Sequence, residues 1–308
     1  MALFKKKVNP NKIAEPMSDK IMQVINTICL AFLGILVAYP LYFVIVASVS
    51  DPDAVNLGKT MLWPKDWQFI GFKKVLTKKD FWVGVYNTII YMVTGTVLSV
   101  FLNMMGAYAT SVHFPGKGLI MKFIVITMFI SAGMIPMYLL MRSLKLTNTR
   151  WAMIIPGLVS VYHMTIARTS IRSNVPQELR EAAEIDGCGH FRYFFNVVWP
   201  LSGSIIAILV LFVASGKWNA YMGAVLYIKD RDLYPMQMIM RELLILNQVS
   251  AEEMQLSPQE AETIHSLQKA ADTMKYAMIL ITTAPIMAFY PFVQKHFIRG
   301  MTLGSVKG

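Results

Sequence analysis

The sequence PQELREAAEIDG occupies residues 176–187, and VVWP follows after nine further residues at 197–200. Pro176 suits the first turn of a helix, and Glu178 and Glu181 complement the positive end of the helix dipole. Gly187 is typical of a residue that ends a helix. These signals predict a short helix between Pro176 and Gly187.

One face of this predicted helix carries small side chains. Leu179, Ala182, Ala183 and Asp186 recur at positions i, i+3, i+4 and i+7, so they lie on the same side of the helix. Such a face can dock closely into a groove of a partner. A solvated surface helix with an acidic face is the alternative interpretation, because any single Glu-Ala-Ala sequence is compatible with it.

The composition is that of a membrane protein. The chain has 308 residues, of which 55% are hydrophobic and 15% are charged. Soluble domains carry about 25% charged residues, so a water-soluble core could not hide this much apolar surface. Cys29 and Cys188 indicate neither a disulfide framework nor a metal site. The net charge of +11 comes from basic residues that flank apolar stretches, which favours membrane-flanking charge over nucleic-acid binding.

Six apolar stretches are long enough to cross about 30 Å of hydrocarbon. They lie near residues 21–49, 83–112, 119–141, 151–171, 197–222 and 276–294. The first lacks a small-residue cleavage site and is too long for a signal peptide, so we expect it to be retained. The predicted fold class is therefore all-α, a polytopic membrane protein with six transmembrane helices. An even number of spans places both termini on one side.

Lysine and arginine divide almost evenly between the two sides, so the positive-inside rule does not decide the orientation. Segment 1–20 precedes the transmembrane domain, 21–308, and a long loop at 223–275 joins the fifth and sixth stretches. That loop contains a helix-like stretch, Met236–Leu246, and an acidic run with Glu252, Glu253, Glu260 and Glu262. It is too elaborate for a simple connection, since most are about 2 to 8 residues long.

The order Glu-Ala-Ala, Gly187 and Pro200 resembles the EAA loop of ABC-importer permeases, although Val197 and Trp199 stand where that family usually has Ile and Leu. Further segments look like carbohydrate-importer permeases of the MalG-like oligosaccharide branch, most like the subgroup for complex or polysaccharide-derived glycans. These segments are FPGK at 114–117, WNAY at 218–221, YPFVQKHFIRG at 290–300 and GSVKG at 304–308.

This resemblance implies the permease subunit of an ATP-driven sugar importer in the bacterial cytoplasmic membrane, with both termini cytoplasmic. It implies a second permease subunit as a heterodimer partner, two cytoplasmic ATPase subunits and an extracytoplasmic solute-binding protein, often a lipoprotein. Loop 172–196 would contain the cytoplasmic coupling helix. The residues expected to couple to the ATPase are Glu178, Leu179, Glu181, Ala182, Ala183, Asp186, Gly187 and Pro200.

Several chemistries have no matching motif in this chain. The spacing Gly-x-x-x-x-Gly-Lys-Ser/Thr is missing, so we expect ATP and Mg to be bound by partner subunits and no cofactor on this chain. No Asp or Glu lies within the six stretches, which argues against a proton-coupled carrier. An intramembrane enzyme would need a buried nucleophile with a base, or a metal cluster, and neither pattern is present. We therefore expect no catalytic residues.

Polar and aromatic residues within the apolar stretches are candidates for a sugar path, because sugars need hydrogen-bonding groups and rings. These candidates are Asn87, Tyr91, Thr94, Ser160, His163, Ser215, Trp218, Asn219 and Tyr221. Hydrogen bonding between helices is the alternative use of such residues, and packing is the alternative for the single histidine. A permease for a non-sugar solute, such as an amino acid, peptide or phosphate, is the alternative function, and a passive channel would need no coupling helix.

Overall fold

A computed structural model of the chain describes residues 16–130, 132–246 and 271–288. These residues form helices and connecting turns, and the described part contains no strand. The chain divides into two compact units, one ending at Trp67 and the other beginning at Gln68.

The first unit is dominated by one long helix, α1 (Met17–Ser48), which is long and apolar enough to cross a membrane. Its side chains are exposed from Met17 to Leu41, including the large apolar ones, as expected of a surface that faces lipid. Pro40 lies inside α1 without ending it. A short helix, α2 (Pro52–Asn56), follows and is capped by Asp51, whose carboxylate accepts the backbone N–H of Ala54 at 3.2 Å.

The second unit is organised around α4 (Lys79–Ser111), which follows α3 (Ile70–Thr77). At 1.5 Å per residue α4 is about 50 Å long, so its two ends lie farther apart than the thickness of a bilayer core. Its buried face carries small and polar side chains such as Ser99 and Asn103, whereas its exposed face carries Val93 and Val97. This inverted distribution is typical of helices that pack in a membrane.

The other helices of the second unit are shorter. They are α5 (Lys117–Ile126), α6 (Met134–Ser143), α7 (Trp151–Ile154), α8 (Val161–Asn174), α9 (Gln177–Ile185), α10 (His190–Tyr193), α11 (Trp199–Leu201), α12 (Gly203–Trp218), α13 (Met222–Tyr227), α14 (Met236–Leu246) and α15 over 271–288. A π-helical turn, Phe194–Val198, joins α10 to α11, and a 3-10 turn, Arg231–Leu233, precedes α14. Helices α8, α12 and α14 pack against α4.

The structure interrupts three of the six predicted spans. Stretch 119–141 becomes α5 and α6, and stretch 151–171 becomes α7 and α8. Gly133 and Gly157, with φ of +80° and +74°, lie in these breaks, where helical geometry cannot continue. The fifth stretch bends by 82° between residues 201 and 203. The sixth is helical up to residue 288, and its remainder lies outside the described residues.

Within the described residues, the prediction of six transmembrane helices is therefore not confirmed. Among the described residues, α1 and α4 are the helices that satisfy the length and composition of a span, and the bent pair 190–201 with 203–218 adds a third if it is counted as one. The helix-like stretch Met236–Leu246 is confirmed as α14. The acidic run that follows it, from Glu252 to Glu262, lies outside the described residues.

Candidate functional site

The predicted short helix is present as α9, which begins directly after Pro176. Its end is a hydrogen-bonded cap: the N–H of Cys188 donates to the carbonyl of Ala183 at 2.8 Å, and that of Gly187 donates to Glu184 at 3.1 Å. This pattern needs a left-handed residue at the turn, and Gly187 has φ of +69°. Glycine at this position therefore ends α9 and sends the chain back towards α10.

Helix α9 contains no buried residue, so most of its surface is available to a partner. Ala183 packs partly against the core cluster of this unit, and it is the member of the predicted small face that turns inward. Leu179, Ala182 and Asp186 are exposed. Ile185 is 87% exposed, although it is the most hydrophobic side chain near the end of α9. The outward face therefore combines Leu179, Ala182 and Ile185 with acidic neighbours.

Sequence reasoning missed Ile185 because it lies off the face on which the small residues recur. Its neighbours Glu184 and Asp186 do not reveal its exposure, because side chains one position apart on a helix point in directions about 100° apart.

Two side-chain pairs brace the flank of α9. Arg180 Nε donates to Glu184 Oε1 at 2.8 Å, and Gln177 Nε2 donates to Glu181 Oε1 at 2.9 Å. Both pairs have the i, i+4 spacing, and each contributes roughly 0.3 to 0.5 kcal/mol to helix stability. Glu181, expected to couple, is exposed and contacts Gln177, and Glu178 in the first turn is also exposed.

The region around α9 is tied to the Ser111 end of α4. Tyr108 Oη lies 3.1 Å from His190 Nδ1, and the Tyr108 ring packs against Tyr193 and Phe194 at centroid distances of 6.1 and 5.5 Å. The segment that follows α9 is therefore in direct contact with the last turns of α4.

Two cationic side chains cap the Ser111 end of α4 by donating hydrogen bonds to its last carbonyls. Lys117 Nζ donates to the carbonyls of Ser111 and Val112 at 2.9 and 2.7 Å, and Arg168 Nε donates to that of Thr110 at 2.9 Å. These carbonyls have no partner within the helix, so positive groups are favoured there. Partial burial, and then the positive charges of neighbouring arginines, lower the pKa of Lys117.

A polar cavity of about 610 Å³ lies between α9 and the end of α4. Its lining includes Tyr108, Lys117, Arg172, Arg180 and Glu181.

Pro200 is not part of this cavity or of α9. It lies in α11, next to the 82° bend, where its missing N–H suits a helix start. The structure thus separates Pro200 from the other residues expected to couple.

Two candidates for the sugar path, Asn87 and Tyr91, are buried near the other end of α4. Asn87 Nδ2 donates to the carbonyls of Asp232 and Tyr234 at 2.7 and 3.2 Å, and Tyr91 Oη donates to that of Leu233 at 2.9 Å. Together they hold the 3-10 turn against α4. Hydrogen bonding within the protein, the alternative use of these residues, describes these contacts, while Asn87 Oδ1 is buried and has no hydrogen-bond partner within the described residues.

Trp218 is also buried, and its indole Nε1–H donates to the carbonyl of Thr282 at 3.0 Å. This bond joins the end of α12 to α15. The ring packs in a core cluster with Met236 and Met278. Trp218 and Ser215 both line an apolar cavity of about 660 Å³, so the structure brings these two candidates together on one wall.

Asn219 and Tyr221 are exposed beyond the end of α12. Asn219 Nδ2 donates to the carbonyl of Ser215 at 2.9 Å, and its backbone N–H shares the same acceptor. Thr94, on the exposed side of α4, donates to the carbonyl of Ile90. These polar groups remain accessible, in contrast to those of Asn87 and Tyr91.

Ser160 and His163 lie at the break between α7 and α8. Ser160 caps α8 by accepting the N–H of His163 at 3.4 Å. The His163 ring stacks on Phe212 of α12, with centroids 6.0 Å apart. Its Nδ1 is buried and has no hydrogen-bond partner within the described residues. This orphaned nitrogen keeps His163 among the candidates for a ligand contact.

Three polar residues with specific contacts were not foreseen, namely Ser99, Asn103 and Lys217. All three bond to the backbone around the break between α7 and α8. A lysine close to the end of an apolar stretch is ordinarily interpreted as an interfacial residue.

The described residues contain no group of three His, Cys, Asp or Glu side chains arranged to hold a metal ion.

Comparison with known proteins agrees with this architecture. The profile of the family described as binding-protein-dependent transport system inner membrane component matches residues 2–303. Protein LplC of Bacillus subtilis is 33% identical over 94% of this chain and 96% of its own length. The polygalacturonan/rhamnogalacturonan transport system permease protein YtcP of the same species is also 33% identical, over 91% of this chain and 96% of its own.

A solved structure is similar as well. One chain of a bacterial ABC transporter involved in the import of the acidic polysaccharide alginate superimposes with a TM-score of 0.80 and 28% identity, over 93% of this chain and all of that chain. The match with the family profile extends over nearly the whole sequence. This chain therefore belongs to the family of binding-protein-dependent transport system inner membrane components.

Proposed function

We propose that this chain is the permease subunit of an ATP-driven importer of sugars or oligosaccharides, in which α9 receives the force of a separate ATPase. The exposed, capped helix α9 carries this proposal. It is braced by its own side-chain pairs, it is joined to the end of α4, and it still presents Leu179, Ala182 and Ile185 to a partner.

The coupling step follows from these contacts. An ATPase groove that closes around α9 would bury the apolar part of its outward face and move the helix as a rigid body. The cap at Gly187 makes the turn into α10 stiff, and His190 then transmits the displacement to Tyr108 on α4. Glu178 and Glu181 offer the ATPase two carboxylates at the helix start. ATP and Mg belong to the partner subunits in this proposal.

The substrate class is proposed from relatives of this chain. One is named for polygalacturonan and rhamnogalacturonan transport, and the similar solved structure belongs to an alginate importer. Both names refer to acidic polysaccharides. We therefore place fragments of acidic polysaccharides first among the substrates to test, with a non-sugar solute such as an amino acid or peptide as the alternative.

The exposed residues Thr94, Asn219 and Tyr221 are the best candidates for the path, together with the half-buried residues His163 and Ser215. Asn87, Tyr91 and Ser160 would shape the path through the backbone that they hold, and Trp218 would contribute the face of its ring. The assembly would contain a second permease as heterodimer partner, two ATPase subunits and a solute-binding protein, often a lipoprotein. Both termini and α9 would face the cytoplasm of a bacterial cell.

Reconstitution tests this function directly. The chain would be assembled with its second permease and ATPase in vesicles, with the binding protein and labelled oligogalacturonides, alginate oligomers, neutral oligosaccharides or peptides on the opposite side. We expect ATP-dependent uptake of an oligosaccharide. Uptake of peptides without any sugar would favour the alternative solute, and uptake without ATP would contradict the coupling role of α9.

A further inference from the structure

The break between α7 and α8 leaves backbone carbonyls without helical partners. Helix α7 ends at Ile154, α8 begins at Val161, and Gly157 between them has φ of +74°. The last four carbonyls of a helix accept no hydrogen bond from an N–H group within the helix. In a membrane protein such groups must find other donors, because no bulk water reaches them in the hydrocarbon region.

Lys217, in the last turn of α12, supplies these donors. Its Nζ donates to three carbonyls, those of Met153, Ile154 and Pro156, at 3.0, 2.9 and 3.1 Å. An ammonium group has three N–H donors, so this geometry uses all of them. The ion pairs within the described residues do not include Lys217. The groups that the described residues offer to this ammonium are therefore the partially negative carbonyl oxygens of Met153, Ile154 and Pro156.

Gly95 on α4 makes room for the lysine stem. A Cβ at position 95 would lie 3.0 Å from Cε and 3.2 Å from Cδ of Lys217, tighter than ordinary contacts. The four-carbon chain therefore lies flat against α4 at a site without a side chain. This close fit fixes the path along which the ammonium reaches the break.

Helix α4 holds the other side of the break. Asn103 Nδ2 and Ser99 Oγ donate to the carbonyl of Leu158 at 2.8 and 2.7 Å, and Asn103 Oδ1 accepts the N–H of Ser160 at 3.0 Å. The break is thus bonded on one side to α12 through a single cation and on the other to α4 through an amide and a hydroxyl.

We propose that Lys217 is a positioning residue for translocation, which keeps the break at 155–160 in register with α12 so that the two move together. Ser160 and His163 follow this break directly, and His163 also stacks on α12. The role in transport rests on the proposed function. The clamp, by which we mean the three hydrogen bonds from Lys217 to the break, does not rest on it, since these bonds concern the geometry of two segments within one chain.

Distance measurement tests the clamp without any transport assay. The full complex would carry spin labels at Val159→Cys and Gly216→Cys, both exposed positions, with Cys29 and Cys188 replaced by Ser. We expect one narrow distance distribution for the parent and a broadened or shifted one for Lys217→Met. Lys122→Met, which removes the same charge from an exposed position on α5, should leave the distribution unchanged.

Transport kinetics supply the second readout. Lys217→Met should lower the maximal uptake rate by about tenfold, because three charge-assisted hydrogen bonds are lost. The concentration of loaded binding protein giving half-maximal uptake should change by less than about twofold, since Lys217 is not on an exposed docking surface. Lys122→Met should match the parent in both values.

A second variant covers the case in which Lys217→Met does not assemble. Gly95→Ala keeps the ammonium but displaces the stem, so it should broaden the label distances as well. An unchanged distance distribution and rate in the assembled Lys217 variant, or in Gly95→Ala, would overturn the proposal. Failure of the parent complex to take up any sugar would instead contradict the proposed function, while the label distances would still decide whether the clamp exists.

Discussion

Gly187 shows how one residue sets the geometry of the candidate coupling site. Its φ of +69° closes the two hydrogen bonds that end α9, and no atom lies within 4 Å of the position where a Cβ would be built. A substitution here is therefore costly for conformational reasons alone. Gly189, two residues later, has φ of −70° and equally open surroundings, so it provides a matched control.

We predict that Gly187→Ala loosens the end of α9 whereas Gly189→Ala does not. A left-handed non-glycine residue costs about 1 to 2 kcal/mol, so amide exchange near Cys188 should accelerate by about five- to thirtyfold. ATPase stimulation by loaded binding protein should fall in parallel. Equal exchange rates in the two variants would contradict this account of the cap.

Trp218 was predicted to contact the sugar, whereas the structure shows it buried and hydrogen-bonded to the carbonyl of Thr282. We predict that Trp218→Phe lowers the thermal unfolding midpoint by several degrees, because the buried carbonyl of Thr282 loses its donor at a cost of about 1 to 3 kcal/mol. Trp151→Phe, at an exposed position, is the control. An unchanged midpoint with reduced uptake would instead favour a direct contact between the indole and the sugar.

At the scale of elements, α9 has one exposed side and is followed by a segment that contacts α4. That contact is made by Tyr108 of α4 with His190 and Phe194. Burial of exposed apolar groups provides most of the free energy of docking, whereas exposed ion pairs contribute little. Ile185 should therefore matter more to docking than the ion pair of Arg180.

We predict that Ile185→Ser weakens association with the ATPase subunit by about ten- to a hundredfold, since burying such a side chain contributes about 1.5 to 3 kcal/mol. Folding should be spared, because Ile185 is 87% exposed. Glu184→Gln removes an exposed ion pair on the same helix and should change the affinity by less than about threefold. Titration of detergent-solubilised permease with ATPase measures both variants, and equal affinities would exclude α9 as the docking helix.

At the scale of the whole molecule, the loops near the Lys79 end of α4 form a rigid support. Asn148 Oδ1 accepts the backbone N–H groups of Lys229 and Asp230 at 2.9 and 2.8 Å. Arg231 pairs with Asp80 at 2.9 Å and with Glu242 at 3.0 Å, and the hydrogen bond to Asp80 raises the pKa of Arg231. These contacts hold the early part of the long loop 223–275, from Lys229 to Glu242, against Asn148 and the start of α4.

We predict that replacing residues 247–266 with a short Gly/Ser linker spares membrane insertion but weakens docking of the binding protein. The contacts of Lys229 to Glu242 keep the start of α14 in place, so the change should be local to the replaced residues. A Gly/Ser linker of the original length separates the effect of length from that of sequence. Unchanged docking and uptake with both linkers would show that the loop does not contact the binding protein.

The sequence alone determined the class of the molecule and the ends of its clearest local elements. Apolar composition indicated a membrane protein, and local signals placed α9 between Pro176 and Gly187 and α14 at Met236–Leu246. These features depend on neighbouring residues, whose propensities and capping groups act within a few positions along the chain.

Only the tertiary structure decided where the helices break and what the polar residues inside them do. The break near Gly157 is bonded by donors from distant segments, Lys217 and Asn103. Likewise, nothing in the local sequence around Asn87 reveals that its amide holds the carbonyl of Asp232. A buried polar group takes whatever partner the fold brings to it, and that partner is set by packing, not by sequence neighbours.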